Sequence, residues 1–183
     1  MLSWCRVTVL ELSQIALGAA DLEALAGALG RCASLERLLL RYGQLGDEGA
    51  ARLAGCTSLA HQDLRYNQSG DDGAARRVVG LWQCTSLVHL DLRNNQIGAD
   101  GAGSIAEVLG HCASLAHLDL RYNHLGDDGA ERLAVGLRQC TSLTHLDLCC
   151  IQLGVIGVGS IAEVLRHCVM MMTCDIIIKL QST

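Results

Sequence analysis

With 183 residues, half of them hydrophobic, 20 Gly, no Phe and no Pro, the chain suits thin stacked layers of Leu, Ile, Val and Ala better than a centre filled with aromatic rings. A net charge of −5, with 14 basic residues spread along the sequence, excludes general affinity for nucleic acid, which needs Lys and Arg gathered on one face. No apolar run approaches the roughly 18 residues of a membrane span, and with Lys179 as the only lysine a GxxxxGK[ST] phosphate loop is excluded as well.

The chain repeats itself, and its elements follow the repeat. Leu87, Leu115 and Leu143 are 28 residues apart, and the same step backwards lands near Leu59 and Leu35; Cys32, Cys56, Cys84, Cys112, Cys140 and Cys168 follow at intervals of 24, 28, 28, 28 and 28. The first unit, about Val7 to Cys32, carries Val7, Leu10, Leu12 and Leu17 in the repeat frame and then a helix over 20–29 with Leu22, Leu25, Ala26 and Leu29 in one stripe. The second, from Leu35, lacks four residues before Cys56, about one helical turn, so it predicts a shorter helix. The third places Gln62 and Ser69 where Leu90 and Ile97 stand one repeat later, and an unpaired buried amide or hydroxyl costs about 1–3 kcal/mol. This layer, whose helix contains Arg76, Arg77 and Trp82, is the expected weak point.

The fourth unit shows the pattern most cleanly. Leu87, Leu90 and Leu92 alternate with His89, Asp91 and Arg93, a strand with one face inward. After Gly98, the residues Ala102, Ile105, Ala106 and Leu109 fall at i, i+3, i+4 and i+7, one stripe of a helix, with Asp100 as its cap or first-turn acid. The fifth unit copies it. The sixth keeps its strand but reads Cys149, Cys150 and Ile151 for Arg121, Tyr122 and Asn123, and Val155 and Ile156 for Asp127 and Asp128. Beyond Cys168 the text allows one more strand through Ile176 and Ile178 and no further helix.

The pattern Leu87-x-x-Leu90-x-Leu92-x-x-Asn95-x-Ile97-Gly98, followed by a helix and CxSL, resembles the leucine-rich repeat of the ribonuclease-inhibitor type, which also forms the recognition end of NOD-like receptors and the body of Ran GTPase-activating proteins. The resemblance covers about residues 7 to 178. It implies an α/β solenoid, a horseshoe arc with parallel strands on the concave face and helices on the convex face. The expected domain is a single array over 1–183 of about six repeats of 24–28 residues, with 1–6 and 169–183 as irregular ends. In this family Asn67, Asn95 and Asn123 would bond backbone groups of the turn as a ladder, and Ile15, Gly43 and Ile151 would leave looser turns.

Outward strand residues then form columns about 4.8 Å apart. One is Arg37, His61, His89, His117 and His145. The next is Leu39, Asp63, Asp91, Asp119 and Asp147, then Arg41, Arg65, Arg93, Arg121 and Cys149, with Tyr42, Tyr66, Asn94 and Tyr122 alongside. Two readings stand: a face that neutralises itself, or a partner-binding surface in which Arg and Tyr are anchors. The candidate partner-binding residues are Arg37, His61, Asp63, Arg65, Tyr66, His89, Asp91, Arg93, His117, Asp119, Arg121, Tyr122, His145 and Asp147. Histidines copied in every unit do not make a chosen zinc geometry, and nothing resembles an oxyanion hole, so neither metal, cofactor nor catalysis is expected.

The expected role is a non-enzymatic module that binds a protein partner, with no nucleic acid and no membrane. Rival readings are a GTPase-activating regulator of a Ras-like protein, separable by a GTP hydrolysis assay, and a truncated array without selected function, suggested by Gln62, Ser69 and the ragged ends. The C-terminal end lacks a polar cap, which points to a piece of a longer protein and favours end-to-end self-association. Cysteines recurring at one repeat position read as packed thiols; with Glu11 and Gln14 breaking the apolar start, a cytoplasmic location follows. Aspartates beside the histidines are expected to favour imidazolium, so acidification through about pH 6.5 should alter partner binding.

Overall fold

Strands of three residues cannot hold together alone, and here seven of them lie side by side. In the computed structural model, which describes residues 7–47, 49, 58–81, 85–168 and 175–177 (77–81, 165, 167, 168 and 175–177 as backbone only), they are β1 (Val9–Glu11), β2 (Arg37–Leu39), β3 (His61–Asp63), β4 (His89–Asp91), β5 (His117–Asp119), β6 (His145–Asp147) and β7 (Asp175–Ile177). The sheet is parallel and its order is the chain order. Backbone bonds carry the pairing past the strand ends, Leu64 N–H donating to Asp91 C=O and Tyr66 N–H to Arg93 C=O, both at 2.9 Å.

Helices α1 (Ala19–Leu29), α2 (Gly70–Leu81), α3 (Ala99–Leu109), α4 (Gly126–Leu137) and α5 (Val155–Cys168) return each repeat to the next strand. Packed helices need 8–10 Å and paired strands about 4.8 Å, so the stack must curve with the strands on its inner side. Leu38, Leu90, Leu118 and Leu146 point inward in register and are at most 2% exposed. They meet Ile105, Leu109, Leu133 and Leu137 of the helix stripes in one continuous core. The shortening of the second unit, Cys56, Cys84, Trp82 and residues 169–174 and 178–183 lie outside the described residues. Cys112 is buried, and Cys32 and Cys140 half-buried, at the junctions between repeats.

Repeats are tied by side chains that reach into their predecessors. Asn95 Oδ1 accepts from the N–H groups of Asn67 and Ser69 (3.1 and 3.4 Å), and its Nδ2 donates to Leu64 and Leu92 C=O, both at 3.0 Å. Asn123 repeats this toward Asn95 and Ile97, and Asn67 toward Gly43, whose N–H donates to it at 2.9 Å. The turn at Gly43 is therefore pinned despite lacking its own Asn. Each Asn serves two turns, holding the one before it and donating to carbonyls of its own, as Asn67 does to Leu64 and Arg65 C=O at 2.8 and 3.3 Å; the expectation of a looser turn at Gly43 is therefore corrected in part, since that turn keeps the bond to Asn67 and lacks only the donor of its own. A second ladder runs through the CxSL serines, with Ser142 Oγ donating to Cys112 and Leu115 C=O, both at 2.9 Å.

The helix starts are capped in the same way. Asp100 sits in the first turn of α3 but does not cap it; N-cap Gly98 has no side-chain cap bond. Instead Asp71 of the preceding repeat accepts from Gly98 and Gly101 N–H at 2.6 and 2.9 Å, and Asp127 accepts from Gly154 and Gly157 at 2.7 and 2.9 Å. Glycine is needed where the carboxylate comes this close: a Cβ on Gly101 would lie 2.6 Å from Asp71 Oδ1. Asp100 pairs across repeats with Arg132 at 2.7 Å.

Gln62 is 1% exposed and, among the described residues, its Oε1 has no hydrogen-bond partner, while its register neighbours Leu38 and Leu90 are fully buried. Gln62→Leu should stabilise the chain by about 1–2 kcal/mol, because it removes an orphaned buried acceptor and puts apolar atoms against the leucines on either side. Urea unfolding measures this; an unchanged or lower midpoint would show that the amide is satisfied in solution.

Candidate functional site

The register puts the predicted columns on one surface: Arg37, His61, His89, His117 and His145 pair in sequence, as do Leu39, Asp63, Asp91, Asp119 and Asp147. Glu11 extends the second column onto β1. This follows from the period, since each strand repeats the alternation of inward Leu with outward polar residue.

The aspartates are not presented to solvent as the alternation alone suggests. Asp63 and Asp91 are each 4% exposed. They lie under the guanidiniums of the Arg column, which link them into one chain of ion pairs: Arg41 to Asp63 (2.6 Å), Arg65 to Asp63 (3.0 Å) and Asp91 (4.0 Å), Arg93 to Asp91 (2.7 Å) and Asp119 (3.1 Å), Arg121 to Asp119 (2.6 Å) and Asp147 (3.1 Å). Arg93 grips Asp91 with both Nε and Nη2, the two-pronged geometry that planar guanidinium allows. The Asp91 bond holds the Arg93 proton more tightly than usual, and Asp119 does the same for Arg121. A column of like charges is stable because a column of opposite charge is interleaved with it.

Above this ladder stand two rows of rings. His61 and His89 stack with centroids 4.2 Å apart, His89 and His117 are tilted at 5.5 Å, and His117 and His145 stack at 4.2 Å. On the other side of the Arg column Tyr42 and Tyr66 stack at 4.3 Å, and Tyr122 is exposed. Tyr42, Tyr66, Asn94, Tyr122 and Cys150 all have φ between 54° and 60°, a left-handed conformation costing a side-chain-bearing residue about 1–2 kcal/mol. The same backbone twist thus turns each strand out of the sheet and sets the ring beside the guanidiniums. A position held by Tyr, Asn and Cys gave no glycine signal by which sequence reading could find it.

The expected direction of the histidine titration is reversed by the structure. Burial lowers the pKa of His61, His89 and His117 below 6.5; His89 and Arg37 push His61 further down, His145 and His89 do the same to His117, and Asp91, Asp63 and Asp119 raise His89 too little to offset its burial. The carboxylates are already committed to guanidiniums. Because the folded state binds these protons more weakly than the unfolded chain, stability should be full above about pH 6.5 and fall as pH drops through the lowered values. The urea midpoint should therefore decrease from pH 7 to pH 5, and decrease less in His89→Gln/His117→Gln; equal slopes in both proteins would refute it.

The described residues contain no group of His, Cys, Asp and Glu arranged to hold a metal ion and no helix long and apolar enough to cross a membrane. The family model described as Leucine Rich repeat matches residues 31–54, 83–106 and 111–134. No curated protein matches in sequence. Among solved structures the chain is similar to actin-binding site 2 of leiomodin-1, at 15% identity and a TM-score of 0.57 over 90% of this chain and 82% of that one. An internalin of Listeria monocytogenes also matches, at 15% identity and a TM-score of 0.36 over 96% and 67%. Stacked in-register strands, an asparagine ladder and three matched segments agree: this chain carries leucine-rich repeats and has the α/β leucine-rich-repeat fold.

Proposed function

We propose that the chain is a protein-interaction module that binds its partner through the strand face and acts in the cytoplasm as one array of about six repeats. The observation that carries this reading is an ordered surface on which imidazoles, guanidinium edges and tyrosine rings are each held in rows by the backbone register. Rigid aromatic and Arg groups are the side chains that dominate protein interfaces, since little entropy is lost on binding them. A 28-residue step with a full helix in each complete repeat supports a ribonuclease-inhibitor-type array. The leiomodin-1 structure, an actin-binding site, supports, as a precedent of fold, the use of such a stack on a protein surface.

Six strand spacings by five residues make a strip on the order of 400–500 Å², against about 800 Å² on each side of a stable interface, so the rims contribute. The test spares the buried ladder. Arg37→Glu, His145→Glu and Tyr122→Ala change exposed residues of the strand face, and Glu131→Arg an exposed residue of the helix face. Proteins captured by the folded wild type should be lost with the first three substitutions together and kept with the fourth. The opposite pattern would place binding on the helices.

A further inference from the structure

From β1 to β6 the charges of the strand face cancel; Asp175, in register with His145, adds one carboxylate on β7. Glu11, Asp63, Asp91, Asp119 and Asp147 supply the negative charges, and Arg37, Arg41, Arg65, Arg93 and Arg121 match them in number. Every one of these carboxylates lies within 3.4 Å of a guanidinium. With the ladder closed, the charge of the face from β1 to β6 is set by the four imidazoles above it.

Those imidazoles are crowded. His61 faces Arg37, Asp63, Asp91 and His89; His89 also faces Asp119, Arg93 and His117; His117 lies between His89 and His145. His145 Nδ1 meets the Thr144 hydroxyl at 2.9 Å, and its register neighbour on β7 is Asp175. Neighbouring rings 4.2–5.5 Å apart repel when charged. The carboxylates beneath can do little, because the guanidiniums already hold them. Among the described residues, the imidazoliums of His61, His89 and His117 face only carboxylates that guanidiniums already hold, and a ligand can bring further ones.

We propose that the strand face takes an acidic segment of a partner protein and holds it more tightly as pH falls, the partner's carboxylates neutralising the charged imidazole column and bonding the outer edges of the Arg column. This deepens the reading of the strand face as the binding surface and rests on it. Carboxylates fit better than a nucleic acid backbone, because the positive charge is one narrow row on a chain of net charge −5. The tilted His89–His117 pair leaves a gap in the column at its middle.

The probe is a fluorescent ten-residue peptide of alternating Glu and Gly, with a Lys–Gly peptide and a charge-matched oligouridylate as comparators, titrated against the whole chain at pH 7.5 and 5.5. By linkage, each imidazole pKa raised one unit on binding tightens Kd up to about tenfold at the lower pH, so the Glu peptide should bind at least that much more tightly at pH 5.5. The Lys peptide should bind at neither pH, and the oligouridylate more weakly than the Glu peptide. His89→Gln/His117→Gln should flatten the pH dependence. In case that variant fails to fold, NMR titration of the wild-type imidazoles should show their midpoints rising when the Glu peptide is added. Equal Kd at both pH values, midpoints unmoved by the peptide, or preference for the oligouridylate would overturn the proposal. If that happens while the exposed strand-face substitutions still abolish partner capture, the acid-dependent reading falls and the binding surface stands.

Discussion

Asn95→Ala should destabilise the chain by about 3–5 kcal/mol, since it strands two buried N–H groups, removes three donated bonds and leaves a void. Asn95 is 0% exposed, and its side-chain amide joins two successive repeats. Because the ladder points toward the N-terminus, the damage should be directional. Amide exchange at Asn67 and Ser69, whose N–H groups donate to Asn95 Oδ1, should speed up markedly. Asn95 N–H itself donates to Asn123 at 3.0 Å and should keep most of its protection in a stack where each repeat touches its neighbours alone. Asn95→Asp keeps the acceptor and loses the donor, and the buried carboxylate should make it at least as damaging. A loss below about 1 kcal/mol for Asn95→Ala would mean that water replaces the amide.

Gly136→Ala should cost about 2–3 kcal/mol, at the upper end for an added methyl group. Gly136 lies in α4, and a Cβ there would come 2.5 Å from Ala106 Cα and 2.7 Å from Ala106 C. Both are backbone atoms of α3, so no side chain can swing aside; the helices must part. Gly159→Ala in α5 is the matched comparison, because no atom of the described residues lies within 4 Å of its Cβ position, and it should stabilise by about 0.5–1 kcal/mol through helix propensity alone. Thermal unfolding of the two variants should move in opposite directions. If both become more stable, the α3–α4 packing is looser in solution than the structure has it.

The repeat frame, the alternation in each strand and the helical stripe were legible because they are local and periodic: Leu87, Leu90 and Leu92 declare an inward face wherever the chain goes, and a 28-residue step aligns every strand with its neighbour. From that alone follow the parallel stack, the buried Leu column and the membership of the His, Asp and Arg columns. The asparagine ladder was legible through resemblance. Gln62 was legible as a defect, since its neighbours in the repeat are all leucine.

What the residues of one repeat cannot disclose is which repeat their side chains serve. Asp71 caps a helix 27 residues later, and the serine of each CxSL bonds the strand before it; such bonds cross between layers and leave no spacing signal within one layer. The protonation of the histidines was misjudged for the same reason. Sequence places His89 two residues from Asp91, an attraction; only the folded stack shows that burial of the ring outweighs it and that Arg93 already holds that carboxylate. The sequence by itself determined the layers and their order, because burial is written in local periodicity; the charge state of the face was decided by tertiary structure, because it depends on distances between repeats.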